Sequence, residues 1–204
     1  MKIENFTVRP IQAGEIGKAA ELLSDAYYHD VFFKWCVDSD EGRRKIVSDY
    51  YKVYLSSRGC VAHVAAAGEG LIGATVWLPH DADAGMYDEI ERVVGAANAP
   101  MFREVAEKSH KNEPTGVPFY QLVGFGVLKE AQGRGVGQAL LKYHLDILDE
   151  AGIPTYLEAS TPFTGGGVYG KFGYAHFGEL MTFGEDSFPV KLYPLFRDAK
   201  KKSP

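Results

Sequence analysis

The chain has only two cysteines, Cys36 and Cys60. Neither lies in a CxxC or Cys/His spacing, which excludes a disulfide framework and leaves no zinc motif. The six histidines are scattered singly, and His144 and His176 have no second ligand at a recognisable spacing, so no metal is expected. Long hydrophobic runs are missing too. No stretch approaches the roughly 20 apolar residues that a membrane-spanning helix needs, and Met1-Lys2-Ile3-Glu4-Asn5 lacks a signal-peptide core. These absences predict a cytoplasmic protein that does not engage membranes. Positive charge is not in excess either: the net charge is −5 and the pI near 5.7, which gives no footprint for nucleic acid. Without repeats, low-complexity tracts or a Pro/Gly/Ser-rich linker, residues 1–198 are expected to form one domain. A frayed basic tail, 199–204, would follow it.

What is present is an ordinary globular composition, 46% hydrophobic and 24% charged, with alternating strand-like and helix-like periodicity. Phe6–Arg9 reads as a strand before Pro10, and Ile16, Ala19, Ala20, Leu22, Leu23 and Ala26 as one helix face. Asp40 is placed to cap a second helix carrying Ile46, Val47, Tyr50, Tyr51 and Tyr54. Cys60–Ala66 and Leu71–Leu78 flank a turn-rich link and predict a hairpin. Two short helices, broken at Asn98-Ala99-Pro100, are predicted between Asp83 and Lys111. Phe119–Val127 is a strand, Gly133–Ala151 an amphipathic helix stopped by Gly152, and Thr155–Ala159 another strand. Gly166–Phe172 reads as a short helix, with strands Tyr174–Phe183 and Val190–Phe196 around Glu185-Asp186.

The chemistry-bearing segment is Gln132-Gly133-Arg134-Gly135-Val136-Gly137, lying between a strand and a helix. Alternate glycines let a diphosphate approach the main chain, and the free donors and dipole of the helix start favour its charge. Arg134 adds a fixed cation. A dinucleotide fingerprint would place the third glycine one position later. Gly165-Gly166-Gly167-Val168-Tyr169-Gly170-Lys171 matches a P-loop except at its end, where Phe172 cannot ligate magnesium as Ser or Thr would.

The loop resembles the coenzyme A pyrophosphate loop of the GNAT superfamily of N-acetyltransferases, with Gln132, Gly135 and Gly137 filling its pattern. Val168-Tyr169-Gly170-Lys171-Phe172-Gly173-Tyr174 resembles a later motif of the same superfamily. The resemblance implies an α/β (α+β) fold: a mixed, mostly antiparallel sheet of six to seven strands, helices on both faces, and a fourth and fifth strand that splay apart. It implies acetyl-CoA as cosubstrate and transfer of its acetyl group to a primary amine of a small molecule. Cofactor contacts would come from Phe125, Gly126, Val127, Gln132, Gly133, Arg134, Gly135, Val136, Gly137, Gln138, Thr164 and Lys171. Val127 N–H would polarise the carbonyl, and Tyr169 would return a proton to the departing thiolate.

Gln121 stands where protein-acetylating relatives carry a Glu, and an amide cannot take a proton. By resemblance the nearest carboxylate is Glu158, which reads equally as a structural acid; a water relay without a dedicated base is the remaining route. Tyr27–Trp35 and Gly73–Pro79 resemble the antibiotic-modifying branch that includes puromycin acetyltransferase. That resemblance makes Phe32, Phe33, Trp35 and Tyr51 candidate walls for the acceptor, beside Gln121. The alternatives are a non-catalytic acyl-CoA sensor and a peptide or protein N-acetyltransferase. A monomer or homodimer suits either.

Overall fold

The computed structural model describes residues 5–82, 85–185 and 189–200. Its elements run β1 (Thr7–Pro10), α1 (Ile16–Tyr27), α2 (Val31–Cys36), α3 (Asp40–Ser56), β2 (Val61–Ala67) and β3 (Gly70–Pro79), then α4 (Gly85–Val94), α5 (Ala99–Asn112) and β4 (Tyr120–Val127). They continue with α6 (Val136–Ala151), β5 (Thr155–Ala159), α7 (Val168–Lys171), β6 (Ala175–His176), β7 (Met181–Phe183) and β8 (Val190–Arg197). The strands form one sheet in the order β1-β2-β3-β4-β5-β8-β6, with β7 on β8. All pairings are antiparallel except β4 with β5. This is the expected mixed fold, with eight strands where six to seven were anticipated. The extra strand arises because Tyr174–Phe183 is divided into β6 and β7 by Gly178, which turns at φ +66°.

Helices cover both faces. On one, α1 buries Ala19, Ala20, Leu22 and Leu23 at the three- and four-residue spacing read from the sequence, and α3 adds Val47, Tyr51 and Tyr54. On the other, α6 buries Val136, Leu140, Leu141, Leu145 and Leu148 and ends at Gly152, a left-handed C-cap. Two boundaries depart from the pattern. Ser39, not Asp40, caps α3, its Oγ accepting from Gly42 N–H at 3.3 Å, which leaves Asp40 and Glu41 in the first turn where the dipole favours acids. The helix expected from Gly133 begins at Val136, because Gly133 and Gly135 adopt φ of +74° and +81°. Helix α2 was read only as an aromatic cluster. It forms because the Asp30 carboxylate accepts from Phe32 and Phe33 N–H.

At the C-terminal end, Arg197 on β8 grips Asp149 of α6 through two bonds of 2.8 and 2.6 Å. Lys200 N–H donates to the same carboxylate, so the expected tail begins tethered; residues 201–204, like Asp83 and Asp186, lie outside the described residues. No helix among the described residues is long and apolar enough to cross a membrane.

One interruption of the sheet positions everything that follows. β4 and β5 pair only at Tyr120–Thr155, Gln121–Tyr156 and Leu122–Leu157. Beyond Leu122 the two strands part, so Val123–Val127 borders a gap instead of a neighbour.

Candidate active site

The exposed edge of β4 has a definite polarity. Leu128 N–H donates to Ile72 O on β3, and antiparallel partners alternate. Gly126, opposite Ala74, therefore directs its polar groups to β3, while Phe125 and Val127 direct theirs into the gap. Of the three residues expected to pair along a cofactor, Gly126 serves differently. A Cβ there would lie 2.8 Å from Ala26 Cβ, and one on Gly124 2.9 Å from Tyr51 Cε1. The two glycines let α1 and α3 press against β4.

Two cavities meet this edge. The first, about 350 Å³, is lined by Phe32, Phe33, Tyr51, Gln121, Phe125, Glu158 and Tyr169, with Tyr27, Tyr50, Tyr54, Phe102, Ser109 and Glu113. It thus gathers both expected catalytic residues and four of the five expected acceptor contacts. Trp35 is not on its wall. The indole packs behind it, against Phe183 at 5.4 Å and Phe32 at 6.5 Å between centroids.

The second cavity, about 360 Å³, is walled by Val127, Gln132, Gly133, Gly135, Val136, Gly137 and Gln138, with Ala131 and Val168. The first bond of α6 runs from Ala139 N–H to Gly135 O, so the N–H groups before it have no partner within the helix. Nothing lies within 4 Å of a Cβ built on Gly133 or Gly135, which leaves this cradle open. A Cβ on Gly137 would lie 2.9 Å from Phe125 Cζ, so that glycine seats the helix on the strand. These features fit a pyrophosphate: exposed donors, a helix start and no side chain in the way. Gln132 is exposed and folds back on the strand, its Nε2 donating to Val127 O at 3.0 Å. Arg134, Thr164 and Lys171 are exposed and line neither cavity.

Gly135→Ala would force an L side chain into the left-handed region at about 1–2 kcal/mol. We expect a melting temperature lowered by several degrees, with Gly135→Asn closer to wild type because Asn tolerates that region; thermal melts of both variants check this.

Glu158 projects from β5 into the first cavity. Its Oε2 accepts from Ser109 Oγ at 2.7 Å and its Oε1 from Tyr156 Oη at 2.9 Å. Burial pushes the carboxyl up to about 7, against the two hydrogen bonds that favour its charge, and Glu113 adds to the rise. Tyr169, the second residue of α7, has its ring edge-on to Phe125 (6.1 Å) and Tyr174 (5.9 Å). Burial holds its phenol well above the ordinary value, with Tyr27, Tyr174 and Asp30 adding to that, so at neutral pH it carries a proton. Gly170 lets the turn close, since a Cβ there would collide with the Gly165 backbone.

Asp30 joins the two sides of the gap, because its free oxygen accepts from Ser160 Oγ at 2.5 Å at the end of β5. Tyr27, Asp30, Ser109 and Tyr156 were not read as site residues. Tyr156 was within reach, being two residues from Glu158 on a strand and so on the same face. Ser109 carries no local signal.

Residues 49–174 match the profile of the Acetyltransferase (GNAT) family. No curated protein matches the sequence. Solved structures share the fold. Arylalkylamine N-acetyltransferase 2 from Aedes aegypti gives a TM-score of 0.69 at 13% identity, covering 97% of this chain and 100% of that one. A Corynebacterium glutamicum protein described as histone acetyltransferase HPA2 and related acetyltransferase gives 0.67 at 20%, covering 98% and 99%. Drosophila melanogaster polyamine N-acetyltransferase, which forms N-acetylagmatine, gives 0.58 at 11%, covering 95% and 100%.

Proposed function

The chain belongs to the GNAT family of acetyltransferases, and from that premise we propose that it moves an acetyl group from acetyl-CoA to a primary amine of a small molecule by direct attack. The observation that carries this reading is one cavity in which a carboxyl near neutral pKa and a protonated phenol flank the open edge of β4. When bound, acetyl-CoA supplies an acyl carbon activated by a thiolate leaving group. Residues 132–138 would hold its pyrophosphate, and the Phe125 and Val127 backbone would face its arm.

Glu158 takes the proton that an incoming ammonium must lose, because only a neutral amine has the lone pair to attack. Tyr169 gives its phenolic proton to the sulfur as the C–N bond forms and the C–S bond breaks, and the second proton that the new amide nitrogen sheds returns to the phenolate through solvent. Gln121, beside Glu158 on the cavity wall, hydrogen-bonds the acceptor without taking its proton. Phe32, Phe33, Tyr51 and Phe102 exclude water and favour an amine with an apolar or aromatic body, and their ring faces offer cation–π contact to its ammonium before the proton is lost. The fold neighbours named for arylalkylamines and polyamines support a small amine, and Tyr27–Trp35 supports the antibiotic-modifying branch.

The test is thiol release from acetyl-CoA over a panel of aryl-alkyl amines, polyamines, amino-nucleosides and peptide N-termini. We expect turnover with at least one non-peptide amine, and Tyr169→Phe to lower kcat by about 10²-fold. Tight acetyl-CoA binding with no thiol release from any amine would identify a sensor instead.

A further inference from the structure

The N–H of Phe125 is one of the backbone donors aimed into the gap, and it is already engaged. It donates to Tyr27 Oη at 3.1 Å. Tyr27 ends α1, and its ring is fixed on two sides: stacked on Tyr51 (5.6 Å, 19°) and edge-on to Phe33 (5.4 Å, 61°). The close approach that brings it there depends on Gly124 and Gly126, where any Cβ would strike Tyr51 or Ala26. Tyr27 also lines the acceptor cavity with Tyr169.

A phenol in this position does more than fill space. Its oxygen accepts from the Phe125 amide and faces the Tyr51 hydroxyl as a second donor, which leaves its own proton for the cavity that Tyr27 and Tyr169 line. Accepting one hydrogen bond strengthens the bond a hydroxyl donates. Resting on the acetyltransferase reading, we propose that Tyr27 is a catalytic residue whose O–H donates to the acyl carbonyl oxygen of acetyl-CoA, so that the Phe125 amide acts through the tyrosine.

The two phenols then divide the work. Negative charge gathers on the carbonyl oxygen as the amine's C–N bond forms and leaves it as the C–S bond breaks. Tyr27 keeps its proton throughout, whereas Tyr169 surrenders one to sulfur. On this reading the donor is Tyr27 in place of Val127 N–H, which also faces the gap but lies along the second cavity, beside the loop.

A rival account makes opposite predictions from the same geometry. If Tyr27 merely plugs the Phe125 N–H, removing its hydroxyl frees that donor for the carbonyl. Tyr27→Phe keeps the ring stack and separates the two. We expect kcat to fall about 10²- to 10³-fold, the usual loss of one such donor, with the KM for acetyl-CoA little changed. Turnover is not the deciding readout. Infrared difference spectra of acetyl-CoA with ¹³C at the acetyl carbonyl should show the bound band at lower wavenumber than in solution for wild type, and near the solution value in Tyr27→Phe.

The same bound band in both proteins overturns the assignment whatever the rates, as does an unshifted band in wild type, which settles the matter even if the variant does not fold. A shifted, Tyr27-dependent band without thiol release from any amine upholds Tyr27 as the donor and refutes the acetyltransferase reading. Failure of wild type to bind acetyl-CoA overturns both.

Discussion

Replacing Glu158 with Gln should lower turnover by about 10²- to 10⁴-fold while making the protein more stable above neutral pH. The carboxyl is pushed to about 7, mainly by burial. Below that pH it is protonated and cannot take the ammonium's proton. Wild-type kcat/KM should therefore rise through pH 7 and then level, and the variant should lose that limb. The stability effect has the opposite sign. The folded-state value lies above the ordinary 4.5, so between about 4.5 and 7 the folded protein holds a proton that the unfolded chain has released. Stability falls as pH rises across that window, and each unit is worth about 1.4 kcal/mol. A neutral glutamine avoids the penalty, by about 3 kcal/mol at most, so denaturant melts at pH 8 should favour the variant and melts at pH 4.5 should not. Equal activity, or an unmoved pH limb, would return Glu158 to a structural role.

Acid should unfold the protein through a second buried site on the α6 face. His63 on β2 and His144 on α6 have ring centroids 4.9 Å apart, with Trp77 4.8 Å from His144. His63 is 2% exposed and His144 3%. Among the described residues, His63 Nδ1, both nitrogens of His144, Trp77 Nε1 and Thr75 Oγ1 find no hydrogen-bond partner in the protein. Burial pulls His63 down to about 4 and His144 to about 3, the latter also repelled by a charge on His63. Unfolded, both titrate near 6.5. As pH falls below 6.5 the unfolded chain takes up protons that the folded protein refuses, so stability is full above 6.5 and drains away towards 4 and then 3. At about 1.4 kcal/mol per unit the pair forfeits several kcal/mol, a large share of the 5–15 typical of a domain. Glu158 offsets one of these two protons between pH 6.5 and 4.5, so melting temperature should fall gently there and steeply below 4.5, and His144→Leu should remove most of the fall between pH 6.5 and 4.5. An unchanged slope would show that other groups control acid unfolding.

Much of this was legible beforehand because it is local. The β5 limits, Thr155–Ala159, are as read; the break expected at Asn98-Ala99-Pro100 falls at 95–98 instead, because Pro100 is tolerated in the first turn and Ala99 and Pro100 open α5. The Gln132–Gly137 loop borders a cavity of its own. What could not be read is where separate elements meet. Trp35 and Phe32 are three residues apart in one aromatic cluster, yet Phe32 faces the cavity and Trp35 turns to Phe183. Ser109 and Glu158 are 49 residues apart, on α5 and β5, and bond only in the folded chain. Gly124 and Gly126 look like weak strand residues until the helices pressed on them are seen.

The β4 edge also determines what kind of experiment can detect it. The groups that Phe125 and Val127 present to the gap are main-chain amides and carbonyls, and these survive every side-chain exchange except proline. Alanine scanning across 123–127 would report packing and miss the donors altogether. An amide-to-ester exchange at position 125 removes the N–H and spares the phenyl ring, so it interrogates the atom itself. A surface made of backbone amides and carbonyls does not depend on which side chain its residues carry, and the fold is shared by neighbours at 11–20% identity.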